Sequence, residues 1–107
     1  MNTPLLGLTE RIRQELVELD QVVTRLLEAW QRARRSGDDF YLDSVALNLH
    51  GFYSGIERIF ERLAVTIDGS LPIGENWHQA LLVQMSKEVK GIRPAVISQH
   101  TLKPLDE

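Results

Sequence analysis

Arg93 and His100 are the pair of residues in this chain whose types and spacing most readily suggest chemistry. Histidine can carry a proton near neutral pH, and arginine can offset the charge of a phosphate. Held in one cleft, the two could break a phosphodiester by acid–base catalysis. Six residues separate them, but with nine arginines and three histidines about one such match is expected by chance. Pro94 directly follows Arg93, and the stretch from Ile97 to Thr101 carries no firm helical signal, so a shared helix face is not expected.

The remaining candidates weigh toward structure. His50 and His78 have no histidine partner three or four residues away, and no HExxH run occurs, so no metal site is expected. There is no cysteine, which excludes disulfides and thiolate ligands. The serines lack a nucleophile elbow, and the glycines between Gly69 and Gly74 suit a turn better than a phosphate loop. No cofactor is expected. Arg32, Arg34 and Arg35 could touch a phosphate, yet they fall where cations oppose the negative end of a helix dipole. Gly51 and Gly55 lie four apart on one helix face, a pattern suited to close approach of another helix, within the chain or across a dimer.

The elements that position these residues are helical. Thr3 and Pro4 read as a helix start, and apolar residues recur at Leu5, Leu8, Ile12, Leu16, Leu19, Val23, Leu26, Trp30 and Ala33. Ser36-Gly37 is a stop signal. A second helix starts at Asp38 or Asp39 and presents Leu42, Val45, Leu49, Phe52, Ile56, Ile59, Leu63 and Ile67, with Ala46, Tyr53 and Phe60 flanking. The stretch from Asp68 to Glu75 reads as a loop. Asn76 is placed to cap a third helix with Leu81, Leu82, Met85 and Val89 on its face, ended by Gly91 and Pro94. Pro104 with Asp106 and Glu107 then looks like the opening of a fourth. The expected class is all-α: an up-and-down four-helix bundle with its fourth helix largely missing, forming one domain over residues 1–107.

Composition agrees with a globular domain, at 43% hydrophobic and 25% charged residues. A net charge of −3 gives no general basic surface for nucleic acid. No apolar run approaches the ~20 residues of a membrane span, and Met1 to Leu8 does not read as a signal peptide. A cytoplasmic protein is expected.

The run from Leu47 to Glu61, with its Gly51 and Gly55, and the later Gly74-Glu75-Asn76-Trp77-His78 lead-in to the third helix resemble the HepT-like family. These are helical HEPN-type ribonuclease toxins of bacterial toxin–antitoxin pairs, and the resemblance runs from about Leu5 to Glu107. It implies a four-helix bundle that homodimerises. It also implies a minimal nucleotidyltransferase antitoxin as partner, able to transfer AMP to a toxin tyrosine. The family's motif is Arg-x4-6-His-x-Tyr on the fourth helix, just past a start like Leu105-Asp106-Glu107. The resemblance therefore implies a chain short of that motif, with no catalytic residue assignable, and RNA as substrate only where the motif is present. The expected role is an inactive interaction module. The rivals are an adaptor for a nucleotidyltransferase, and a ribonuclease that uses Arg93 and His100 as a displaced pair across a dimer.

Overall fold

The computed structural model describes residues 3–106, with side-chain surroundings for residues 4–103. In chain order it has α1 (Thr3–Ser36), α2 (Asp39–Leu63), one turn of π-helix (Ala64–Asp68), α3 (Trp77–Met85) and α4 (Gln99–Asp106). Among the described residues there is no strand, only an isolated bridge between Val89 and Arg93. The chain is thus all-α. No described helix is long and apolar enough to cross a membrane. The chain divides into two compact units: Thr9–Ile56, and Met1–Leu8 together with Glu57–Glu107.

In the unit Thr9–Ile56, the turn between α1 and α2 works as its sequence suggests. Gly37 takes φ +68° and its N–H bonds the Ala33 carbonyl at 2.9 Å, a left-handed helix stop. Asp38 Oδ1 accepts the Phe40 N–H at 2.9 Å and so caps α2. Thr3 is itself the first residue of α1, one place inside the expected cap. The buried row on α1 passes through Glu15, Leu19, Ala29 and Ala33, so Leu16 and Trp30, expected inside, are exposed. Adjacent positions such as 29 and 30 lie on either side of one helical line. The row that packs takes the small alanine and leaves the indole outside. Along α2, Leu42 and Leu49 are likewise exposed. Gly55 is buried, whereas a Cβ at Gly51 would meet no atom within 4 Å.

The unit built on Glu57–Glu107 has a small core of Ile59, Phe60, Ala64, Leu81 and Met85. Phe60, expected to flank the apolar face of α2, is in this core. α3 packs against the π-turn and against α4. The π-turn ends at Gly69, whose φ of +76° lets the Gly69 and Ser70 N–H groups both bond the Ala64 carbonyl. Nothing lies within 4 Å of a Cβ built at Gly69, so Gly69→Ala should cost only its conformational strain, about 1–2 kcal/mol. Urea denaturation that finds the alanine variant as stable as the parent would refute this.

Two boundaries differ from expectation. α3 stops at Met85 rather than running to Gly91. The Ser86 hydroxyl bonds back to the Val83 carbonyl at 2.6 Å, and the Ser86 N–H is shared between the Leu82 and Val83 carbonyls. Such local bonding by serine competes with the next helical turn. A tight reversal follows, in which Val89 and Arg93 exchange backbone bonds of 2.9 Å around Gly91 at φ +78°. α4 then starts earlier than Pro104, at Gln99. Ser98 Oγ accepts the Thr101 N–H at 3.0 Å, an N-cap that places the expected loose stretch largely inside the helix. Glu107, part of the expected helix start, lies outside the described residues.

Candidate functional site

Of the two residues singled out for phosphodiester chemistry, Arg93 lies in the middle of the hydrogen-bond network that holds the Glu57–Glu107 unit closed. The Val89–Arg93 reversal turns the chain back so that the Arg93 side chain reaches the end of the π-turn. There its Nε and Nη2 donate to the two carboxylate oxygens of Asp68, each at 2.6 Å, a bidentate pair. Nη1 donates to the Lys87 carbonyl at 2.8 Å and the Pro94 carbonyl at 2.9 Å, and Nη2 also to the Gln84 carbonyl at 3.2 Å. A guanidinium has five N–H donors, and these bonds occupy all of them.

The pair is closed to solvent, with the Arg93 side chain 7% and the Asp68 side chain 5% exposed. Gln84 completes the network by donating to Asp68 Oδ2 at 2.7 Å and to the Ser70 carbonyl at 3.1 Å. The Arg93 hydrogen bonds hold the Asp68 carboxyl below its ordinary pKa, with Gln84 helping and burial opposing. The same bonds raise the Arg93 pKa against the opposing effect of burial. Three segments remote in sequence are tied together: the end of the π-turn, α3 and the reversal before α4.

His100 lies in the first turn of α4 and is exposed. Its exposure contrasts with the closure of Arg93, whose donors have none left for a phosphate. The arrangement clamps backbone and does not present a charge to substrate. Asp68 and Gln84 were missed from sequence because neither forms a motif. The only signal was an acid followed by a turn glycine, Asp68-Gly69, with an arginine placed far downstream.

The other histidines sit apart from this network. His78 Nδ1 is 2.8 Å from Glu57 Oε2, a pair linking α3 to α2 on the surface, and the His78 ring stacks on Trp77 with centroids 3.6 Å apart. His50 is exposed on α2. Among the described residues no three acidic or histidine side chains converge as a metal-binding set. Arg32 pairs with Glu28 at 2.9 Å on the solvated end of α1, while Arg34 and Arg35 border a shallow surface depression with Gln31.

A family model described as HepT-like protein matches residues 44–107, which take in most of α2 and everything after it. The chain belongs to the HepT-like family. No curated protein and no solved structure matches it significantly.

Proposed function

We propose that this chain is the helical subunit of a toxin–antitoxin pair, that it homodimerises in the cytoplasm, and that it binds a minimal nucleotidyltransferase. The family match over residues 44–107 carries this reading. In it, the 107 residues act as scaffold and interaction module and do not themselves cleave RNA. The reason is chemical. The arginine with the spacing for that work, Arg93, is committed to Asp68 and three carbonyls, so it cannot stabilise a phosphate. Leu102 stands where an Arg-x6-His-x-Tyr run from Arg93 would need its tyrosine, so AMP has no acceptor there.

Exposed apolar surface supports the dimer. Phe40 and Leu47 on α2 are both 72% exposed, and large exposed apolar groups commonly mark an interface. Gly51 follows Leu47 by one helical turn and has open space where a side chain would be, so a second helix could approach there. Gly55, on the same helix, is buried and serves the chain's own packing.

Light scattering of the purified chain should give about twice the 12.2 kDa of one copy. Co-expression with a minimal nucleotidyltransferase should yield a stable complex, and the purified chain should leave RNA intact whether or not His100 is replaced by alanine. A 12.2 kDa species at micromolar concentration would sink the dimer. RNA cleavage abolished by His100→Ala would sink the inactive-module reading.

A further inference from the structure

We propose that the groove between the later turns of α1 and the first turns of α2 binds a small aromatic carboxylate. Helical spacing builds the groove. Arg25, Ala29 and Arg32 lie at i, i+4 and i+7 on one face of α1, and Tyr41, Ser44 and Asn48 at i, i+3 and i+7 on one face of α2. Ala29, buried at 7% exposure, is too small to fill the space between them, which leaves about 230 Å³. Pockets for drug-sized ligands run from roughly 300 to 1,000 Å³, so this one suits a single ring. All of these residues belong to the compact unit Thr9–Ile56.

Three observations select the ligand. The first is a free cation. Arg25 lines the groove, is exposed, and has no hydrogen bond or ion pair among the described residues. Glu28, three residues on, is instead engaged by Arg32 Nη2 at 2.9 Å. The positive charge left over is that of Arg25, which a monoanion balances, and its guanidinium can meet both oxygens of a carboxylate as a fork. A phosphate dianion would leave an excess negative charge beside Glu28. The second is the ring. Phe40, also lining the groove, is 72% exposed and sits edge to face with Tyr41, with centroids 5.9 Å apart and planes at 79°. A ligand ring covering Phe40 gains both apolar burial and an aromatic contact. The third is a spare donor. Asn48 Nδ2 donates to the Ser44 carbonyl at 2.8 Å and to Ser44 Oγ at 3.4 Å, so the Ser44 hydroxyl accepts here and keeps its own proton for a ligand oxygen. Arg25, Phe40 and Tyr41 lie outside the residues 44–107 that match the HepT-like family, and the inference goes beyond the functional reading above.

The test follows the Asn48 side-chain amide by NMR in the full chain. The probes are benzoate, benzamide, cyclohexanecarboxylate, N-acetylphenylalanine, inorganic phosphate and chloride. A saturable shift is expected with benzoate and N-acetylphenylalanine. Benzamide and phosphate should bind at least tenfold more weakly than benzoate, and cyclohexanecarboxylate at least threefold. Tighter binding of N-acetylphenylalanine than of benzoate would support the site and identify a peptide C-terminus as the source; the reverse order would support it with a free acid as ligand. Arg25→Gln, on an exposed helix surface, should weaken binding at least tenfold with an unchanged circular dichroism spectrum. Phe40→Leu keeps an apolar side chain and should still weaken benzoate at least threefold. Phe40 is shared with the surface assigned to the dimer and Arg25 is not, so light scattering of the Arg25→Gln variant should give the same mass as the parent. A parent of dimer mass that binds no carboxylate would overturn this proposal and leave the dimer standing. A shift produced equally by chloride, tighter binding of phosphate, cyclohexanecarboxylate as tight as benzoate, or undiminished binding by the folded Arg25→Gln variant would overturn it as well.

Discussion

Arg93→Ala should destabilise the protein by about 3–5 kcal/mol, the range for removing one partner of a buried ion pair. The substitution leaves the Asp68 carboxylate, 5% exposed, with Gln84 as its remaining side-chain donor. It also strips a donor from each of the Gln84, Lys87 and Pro94 carbonyls. Arg93→Lys should rescue little, because an ammonium cannot reproduce a five-donor planar fork. The double variant Arg93→Met with Asp68→Leu should regain part of the loss, since it removes both charges together. Urea midpoints of the four proteins test this, and a single variant within about 1 kcal/mol of the parent would show that the clamp is not what holds these segments.

The acid limb gives an independent reading of the same clamp. Asp68 has its folded pKa depressed by Arg93. Its contribution to stability is therefore fully present above the unfolded carboxyl value of about 3.9 and is lost as pH falls through the folded value. Wild-type protein should lose stability progressively below about pH 4, and Arg93→Ala should show a flatter dependence there. Parallel acid curves for the two proteins would contradict the assignment.

Much of this fold was legible because long helices announce themselves. The stop at Ser36-Gly37, the start at Asp38-Asp39 and the placement of Leu81 and Met85 on one buried face all followed from period and punctuation. The misreadings came where two local signals competed. Val89 keeps the helical period of Leu82 and Met85, but Ser86 bonds its own preceding turn and ends α3 first. Ser98 is an N-cap residue, yet Pro104 further on drew attention as the helix start. On α1 the apolar pattern was continuous through Leu16 and Trp30, and periodicity alone does not say which of two adjacent rows will be buried. The Asp68–Arg93 clamp was illegible for a different reason. Its partners are 25 residues apart, and only the reversal around Gly91, a tertiary event, brings them together. The match of types that sequence did offer, Arg93 with His100, joined a committed guanidinium to an exposed imidazole.

The second large effect is expected at Met85, whose side chain is fully buried at 0% exposure beside Leu81 at 1%. Both lie on the inner face of α3, which packs on the π-turn and on α4. Met85→Ala removes a long side chain from a core of few members, and the cavity left behind should cost about 2–5 kcal/mol. Met85→Leu nearly conserves volume and should cost less than about 1.5 kcal/mol. The position has a second role through its backbone. The Met85 carbonyl accepts the Val96 N–H at 2.8 Å and the Ile97 N–H at 3.2 Å, which docks the chain just before the Ser98 cap of α4. A cavity at Met85 should therefore loosen this junction as well as lower global stability. Amide exchange at Val96, Ile97 and Leu102 should accelerate more than exchange in the middle of α2. Leu82→Ala, at a half-buried position in the same helix, should have a smaller effect on both readouts. If Met85→Ala leaves exchange at Val96 and Ile97 unchanged while global stability falls, then α4 is held by the Ser98 cap and its own contacts, and the Met85 side chain acts only as core filler.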